Sequence, residues 1–181
     1  MNHIRRYVWI PALIAGLVAG LSAQFSAPPK PGPEHKKLEA LLGSWTYDGD
    51  AKKSPFSPAG EVTGTETFSS GPGGFVVEDR WDEKDPLGNV KGLQIWGYDP
   101  LKKTYTYSYF TSAGESGGGT VTINGNTWTW NGSGATYEGK NAWSRGTITF
   151  TGPNAFTQKA EASGDGGKTW AVNFEGKWTK R

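Results

Sequence analysis

Gly92–Phe110, GLQIWGYDPLKKTYTYSYF, is the stretch whose reading decides the fold. Two runs rich in aromatic and β-branched residues flank Asp99-Pro100-Leu101-Lys102. Asp opens a turn by accepting the backbone amides ahead of it, and Pro presets the next φ near about −65°. In the second run Tyr105, Tyr107 and Tyr109 alternate with Thr104, Thr106 and Ser108, the period of a strand with two unlike faces. The first run sets Gln94, Trp96 and Tyr98 opposite Leu93 and Ile95. Together they make an antiparallel hairpin too apolar to stand without neighbours. The three tyrosines are expected to face inward. The opposite register would bury small hydroxyls in need of partners and leave the core underfilled.

The rest of the chain supplies those neighbours. Ten strand candidates follow Gly43: Trp45–Asp50, Glu61–Ser69, Gly74–Asp82, Val90–Tyr98, Thr104–Thr111, Gly119–Ile123, Thr127–Asn131, Trp143–Thr151, Ala155–Ser163 and Thr169–Lys180. Asn124-Gly125 has the composition of a two-residue hairpin turn. Successive hairpins form a meander, and a meander of this many strands removes its exposed edges by closing. The fold class is therefore all-β, a single antiparallel up-and-down barrel with one short helix at its base.

Three segments are read along the chain. Residues 1–23 have a basic start at His3, Arg5 and Arg6, an apolar stretch Tyr7–Leu21 and small residues at Ser22 and Ala23. That is the plan of a secretory signal peptide, cleaved near Ala23, and it implies a periplasmic or secreted protein. The mature chain is expected to hold no membrane span. Residues 24–33 form a Pro-rich extended spacer. The domain occupies residues 34–181. It begins with a helix over Glu34–Leu42 whose apolar stripe, Leu38, Leu41 and Leu42, is stopped by Gly43. Leu38, Leu42 and Trp45 are the candidates for closing the barrel base.

Composition narrows the function. The chain of 181 residues has 19 Lys and Arg against 17 Asp and Glu, and without Arg5 and Arg6 the charges balance. A neutral domain has no electrostatic attraction to nucleic acid. With no cysteine, disulfides, thiolate metal sites and cysteine nucleophiles are excluded. Histidine is confined to His3 and His35, so a Ser-His-Asp triad and a zinc site lack their side chains, and no metal or cofactor is expected. His35 is read as a solvated surface residue.

A resemblance emerges from three motifs taken together. These are HKKLEALLGSW at the start of the domain, a Gly-Gly-Phe strand ending in Glu78-Asp79-Arg80-Trp81, and WGYDPLKKTYTYSYF. The combination is similar to a family of exported bacterial domains of unknown function, catalogued under the number 1579. Gly43-Ser44-Trp45 after a short helix also resembles the opening of lipocalin-type (calycin) barrels. The resemblance implies a lipocalin-like barrel over about Glu34 to Arg181 and no established chemistry. Ser163-x-Asp165-x-Gly167-x-Thr169-Trp170 resembles the Asp-box of sialidase propellers, but it occurs once and is read as a turn between the last two strands.

The remaining candidates concern ligand binding. Glu66, Glu78, Asp79 and Asp82 fall in strands and are read as surface charges or partners of nearby cations. Arg80 and Arg145 also fall in strands. Either, if turned inward, would hold an anionic group in its rigid fork; turned outward, it would stack on Trp81 or Trp143. Trp96, Tyr105, Tyr107, Tyr109, Trp128 and Trp130 either line a cavity or fill it. The reading is an exported, non-enzymatic binder of a small apolar or amphipathic molecule, with an anionic end if the arginines face in. A filled structural or interaction module, and an unrecognised hydrolase or isomerase, are the alternatives.

Overall fold

The alternation read in the sequence becomes a barrel of ten antiparallel strands. The structure is a computed structural model and describes residues 30–54, 56–136 and 138–181. The leader read in residues 1–23 and most of the spacer lie outside the described residues. In chain order the strands are β1 Gly43–Ala51, β2 Gly60–Ser70, β3 Val76–Asp85, β4 Gly88–Asp99, β5 Thr104–Thr111, β6 Ser116–Asn124, β7 Thr127–Ala135, β8 Asn141–Gly152, β9 Ala155–Ser163 and β10 Ala171–Lys180. Each pairs with its sequence neighbours, and β10 pairs with β1 to close the barrel. No sheet edge is left free in the ring, which a meander achieves only by closure.

The founding hairpin forms as read. Trp96 lies opposite Tyr107, and Tyr98 opposite Tyr105. Asp99 Oδ1 accepts the amides of Leu101 at 2.9 Å and Lys102 at 3.0 Å, and Lys103 completes the reversal at φ 52°. Tyr105 and Tyr107 are buried and Tyr109 packs partly buried beside them, so the tyrosine face is the interior one. The β6–β7 hairpin is displaced by one residue from its expected turn. Asn124 pairs with Thr127, so Gly125-Asn126 makes the loop, with Gly125 at φ 57°. Glycine first is the arrangement of a type II′ turn, and this register keeps Trp128 and Trp130 inward opposite Ile123 and Val121.

The base differs in detail from the single helix expected. An α-helical turn, α1 Pro33–Lys37, tightens into a 3-10 turn over Leu38–Leu41, and Leu42 is already extended. With three residues per turn, Leu38 and Leu41 fall on one side, and both are fully buried. Leu42 is only partly buried, so Leu41 takes the place expected of it in the seal. Trp45 Nε1 donates to the Leu41 carbonyl at 2.8 Å, pinning the end of the turn to β1. Gly43 at φ 125° makes the bend between them, a backbone region that disfavours any side chain. His35 is not a solvated residue. Its Nδ1 accepts the Gly32 amide at 3.1 Å, and its ring meets the edges of Phe75 and Tyr98.

Above the base, rings and glycines are matched across strands. A Cβ at Gly64 would collide with the Tyr47 ring, one at Gly92 with Trp81, one at Gly146 with Trp130 and one at Gly176 with Phe174. Each of these four glycines thus leaves room for a neighbouring ring. Large side chains are accommodated there without crossing the lumen.

Candidate functional site

The interior is filled at one end and hollow at the other. Trp45, Phe68, Val77, Val121, Trp128 and Phe156 are buried together with Leu38 and Leu41, and none of them lines the hollow. Beyond them a cavity of about 740 Å³ extends to the end of the barrel remote from α1. Tyr47, Trp81, Trp96, Tyr107, Trp130 and Trp178 supply its aromatic wall. Phe56 and Ser57 of the β1–β2 loop, Leu87 of the β3–β4 turn and Ala113 of the β5–β6 turn stand at its mouth.

The floor carries carboxyl groups. Glu66 on β2 and Asp79 on β3 both point inward, because each shares its parity with apolar neighbours: Val62 and Phe68 for Glu66, Val77 and Trp81 for Asp79. In register Glu66 lies opposite Trp81 and Phe68 opposite Asp79, which makes the two acids diagonal neighbours on one face. Trp178 Nε1 donates to Glu66 Oε2. Asp79 is 2% exposed, and its Oδ1 has no hydrogen-bond partner. Burial above all, and then the neighbouring Glu66 charge, push the Asp79 carboxyl well above the usual carboxylate range. Burial likewise raises Glu66, to about 7, against the opposing effect of its contacts with Asp79 and Trp178. Burial therefore favours the protonated form of both carboxyls. Trp96 Nε1 lies near Asp79 and favours its ionised form, yet makes no hydrogen bond of normal geometry.

Higher in the cavity the Tyr47 hydroxyl donates to Glu83 Oε2 at 2.7 Å, and burial raises the Glu83 carboxyl as well. Burial pushes the Tyr107 hydroxyl up to about 12. A bulge between Val172 and Phe174 on β10 brings both Asn173 and Phe174 to the lining. Asn173 Oδ1 is buried there without a partner.

The residues singled out from sequence are sorted by this geometry. Trp96, Tyr107, Tyr109 and Trp130 line the cavity. Tyr105 and Trp128 face inward but lie in the filled end; the Tyr105 hydroxyl donates to Glu34 of α1. Arg80 and Arg145 point outward, so neither contributes to the lining. Arg80 lies 3.9 Å from Glu78, and Arg145 bonds Glu161 at 2.7 Å and stacks on Trp170 rather than on Trp143. Both belong to the parity opposite their inward neighbours: Arg80 lies between Asp79 and Trp81, and Arg145 precedes Gly146. Glu66 and Asp79, read as surface charges, are instead the floor. Asn173 was beyond sequence reasoning, since only the bulge turns it inward.

The Asp165 turn is structural, as read. Asp165 accepts the amides of Lys168 and Thr169 and the hydroxyls of Ser163 and Thr169. The Thr169 hydroxyl is the largest of the interactions that hold its carboxyl down to about 2. Among the described residues no group of three or more His, Cys, Asp or Glu is arranged to hold a metal ion, and no helix is long and apolar enough to cross a membrane.

Comparison with known proteins agrees with this architecture. Residues 30–180 match a family described as "Protein of unknown function (DUF1579)". No curated protein matches the sequence. Among solved structures, the crystal structure of Rv2717c from M. tuberculosis is similar at a TM-score of 0.62 and 13% identity, covering 83% of this chain and 98% of that one. A de novo designed fluorescence-activating β-barrel aligns at a TM-score of 0.43 and 13% identity, over 79% of this chain and 95% of the design.

Proposed function

The chain belongs to the DUF1579 family, and we propose from the geometry of its own cavity that it binds a small, mainly apolar molecule inside the barrel. The observation that carries this reading is the division of the interior. The base is packed by large side chains, whereas the other end keeps a cavity of about 740 Å³ walled by rings folded back onto glycines. Cavities of roughly 300–1,000 Å³ lined by aromatic groups with a few polar ones suit drug-sized ligands. Entry through the mouth opposite the helix is the mode of ligand capture that the lipocalin-type opening at Gly43-Ser44-Trp45 suggests. Export through the leader read in residues 1–23 belongs to the same proposal.

Nile red, a neutral apolar dye, tests it. Its emission should rise and shift to the blue on addition of the protein, saturating at one dye per barrel. Ala160, buried on β9 and part of the lining, is the position at which to fill the lumen. Ala160→Trp should abolish the signal while circular dichroism still reports the sheet. Absence of saturable binding by the wild type would favour the filled interaction module instead.

A further inference from the structure

We propose that the cavity floor is a seat for an organic ammonium group, bound through its N–H donors by Glu66 and Asp79 within the aromatic wall. This deepens the binding reading above and rests on it.

The charge of the lining favours a cation. Its ionisable groups are Tyr47 on β1, Glu66 on β2, Asp79, Glu83 and Asp85 on β3, Tyr107 and Tyr109 on β5, and Glu115 just before β6. The lining contributions of β4 and of β7 to β10 are uncharged, and no Lys, Arg or His lines the cavity. The cations are on the outer face, where Lys91 pairs with Asp82, Arg80 approaches Glu78 and Arg145 pairs with Glu161. An anionic ligand would enter a field of its own sign. A cationic one would meet acids and the negative faces of Trp96, Trp178 and Tyr107.

Among the described residues, the buried side-chain polar atoms without a partner are Asp79 Oδ1, Trp96 Nε1 and Asn173 Oδ1. All three residues line this one cavity, Asp79 and Trp96 at its floor and Asn173 toward its mouth, where its backbone carbonyl accepts the Lys52 amide. Buried polar atoms are otherwise satisfied as a rule, so the partnerless Asp79 Oδ1, almost fully buried at the floor, marks a place where a partner from outside belongs. Asp79 Oδ1 at the floor is an acceptor that needs a donor. A protonated amine brings two or three N–H donors and a charge, whereas an apolar ligand brings none and a quaternary ammonium only charge. On binding, the ammonium brings to the two buried carboxyls the positive charge that a proton would otherwise supply.

Matched naphthalene probes test the seat by isothermal titration calorimetry near pH 7.5. They are 1-naphthylmethylamine, its N,N,N-trimethyl analogue, 1-naphthalenemethanol and 1-naphthoate. The primary amine should bind at least about tenfold more tightly than the alcohol, the range of a hydrogen bond to a charged group, and the naphthoate more weakly than the alcohol. In the Glu66→Gln, Asp79→Asn double variant the amine-to-alcohol ratio should fall to within about threefold. Should that variant not fold, the same ratio for the wild type at about pH 5, where Glu66 is protonated, should fall in its place. Equal binding of amine and alcohol would overturn the cation seat and leave the apolar cavity standing. A trimethyl analogue binding as tightly as the primary amine would overturn the donor argument, and the proposal with it. If none of the four binds up to its solubility limit, both readings fall.

Discussion

The buried carboxyl pair makes the stability of the barrel depend on pH in an unusual direction. Most proteins lose stability on mild acidification because their paired carboxylates must take up protons. Here the folded state already holds protons that the unfolded chain releases. Burial raises Glu66 from 4.5 to about 7, and Asp79 and Glu83 are displaced the same way. Between those two values the folded barrel binds more protons than the unfolded chain, so stability falls as pH rises through the window. The effect is fully present below 4.5 and lost above about 7. For Glu66 the displacement corresponds to about 2–3 kcal/mol, discounted because its side chain borders the open cavity. In a domain of this size each kcal/mol moves Tm by roughly 2–4 °C, so melting should be about 5–10 °C higher near pH 5 than near pH 8 at constant ionic strength. Glu34, Asp99 and Asp165 are shifted downward and titrate below this interval, so they do not mask it. Thermal melts followed by circular dichroism would measure the difference, and Glu66→Gln should remove most of it. A melting temperature that is flat, or higher at the alkaline end, would refute the reasoning.

Two packing predictions follow from the same interior. Tyr107 is 6% exposed, with its ring centroid 5.8 Å from Trp96 and 6.1 Å from Trp130. Because truncation there widens an existing cavity rather than opening a sealed void, Tyr107→Ala should cost about 3 kcal/mol in urea denaturation, near the low end for aromatic truncations, and a loss within about 0.5 kcal/mol would contradict its place in the wall. Gly92→Ala puts a Cβ into the Trp81 ring, so the ring must leave the wall; the expected cost is about 1–3 kcal/mol with a shift in tryptophan emission, and an unchanged midpoint would show that the ring is free to move.

What could be read from the sequence was governed by periodicity. The Tyr105, Tyr107, Tyr109 alternation gave strand, register and inward face at once, because the pleat ties all three together. The same parity test applied to Val62-x-Gly64-x-Glu66-x-Phe68 places Glu66 inside, and applied to Val77-x-Asp79-x-Trp81 it places Asp79 beside it. Composition misleads at both positions, because a carboxylate is ordinarily a surface residue and that expectation outweighs the pattern around it. Arg80 and Arg145 are resolved by parity too, since each alternates with inward neighbours. The base was legible in its leucines but not in its geometry: the tightening that brings Leu38 and Leu41 into line depends on Trp45 drawing the Leu41 carbonyl toward β1. Asn173 left no trace in the pattern, because a bulge breaks the very alternation from which a strand is read.

The position of the irregularities carries its own argument. In the filled end every local preference agrees with the fold: leucines seal the base, Trp45 satisfies a helix-terminal carbonyl, and Phe156 packs between Trp45 and Trp178. In the hollow end the preferences conflict. Glycines interrupt strands, two carboxyls share an apolar floor, and a bulge turns an amide oxygen inward with nothing to bind. Each of these lowers stability by itself. Were they scattered, they would read as tolerated defects. Instead the rings seated on the glycines, the two carboxyls and the Asn173 amide all line one cavity. Departures that converge on a single volume indicate a site maintained at the expense of packing, because random tolerance has no reason to gather unsatisfied acceptors around one space. The filled end supplies the stability that lets the other end stay open.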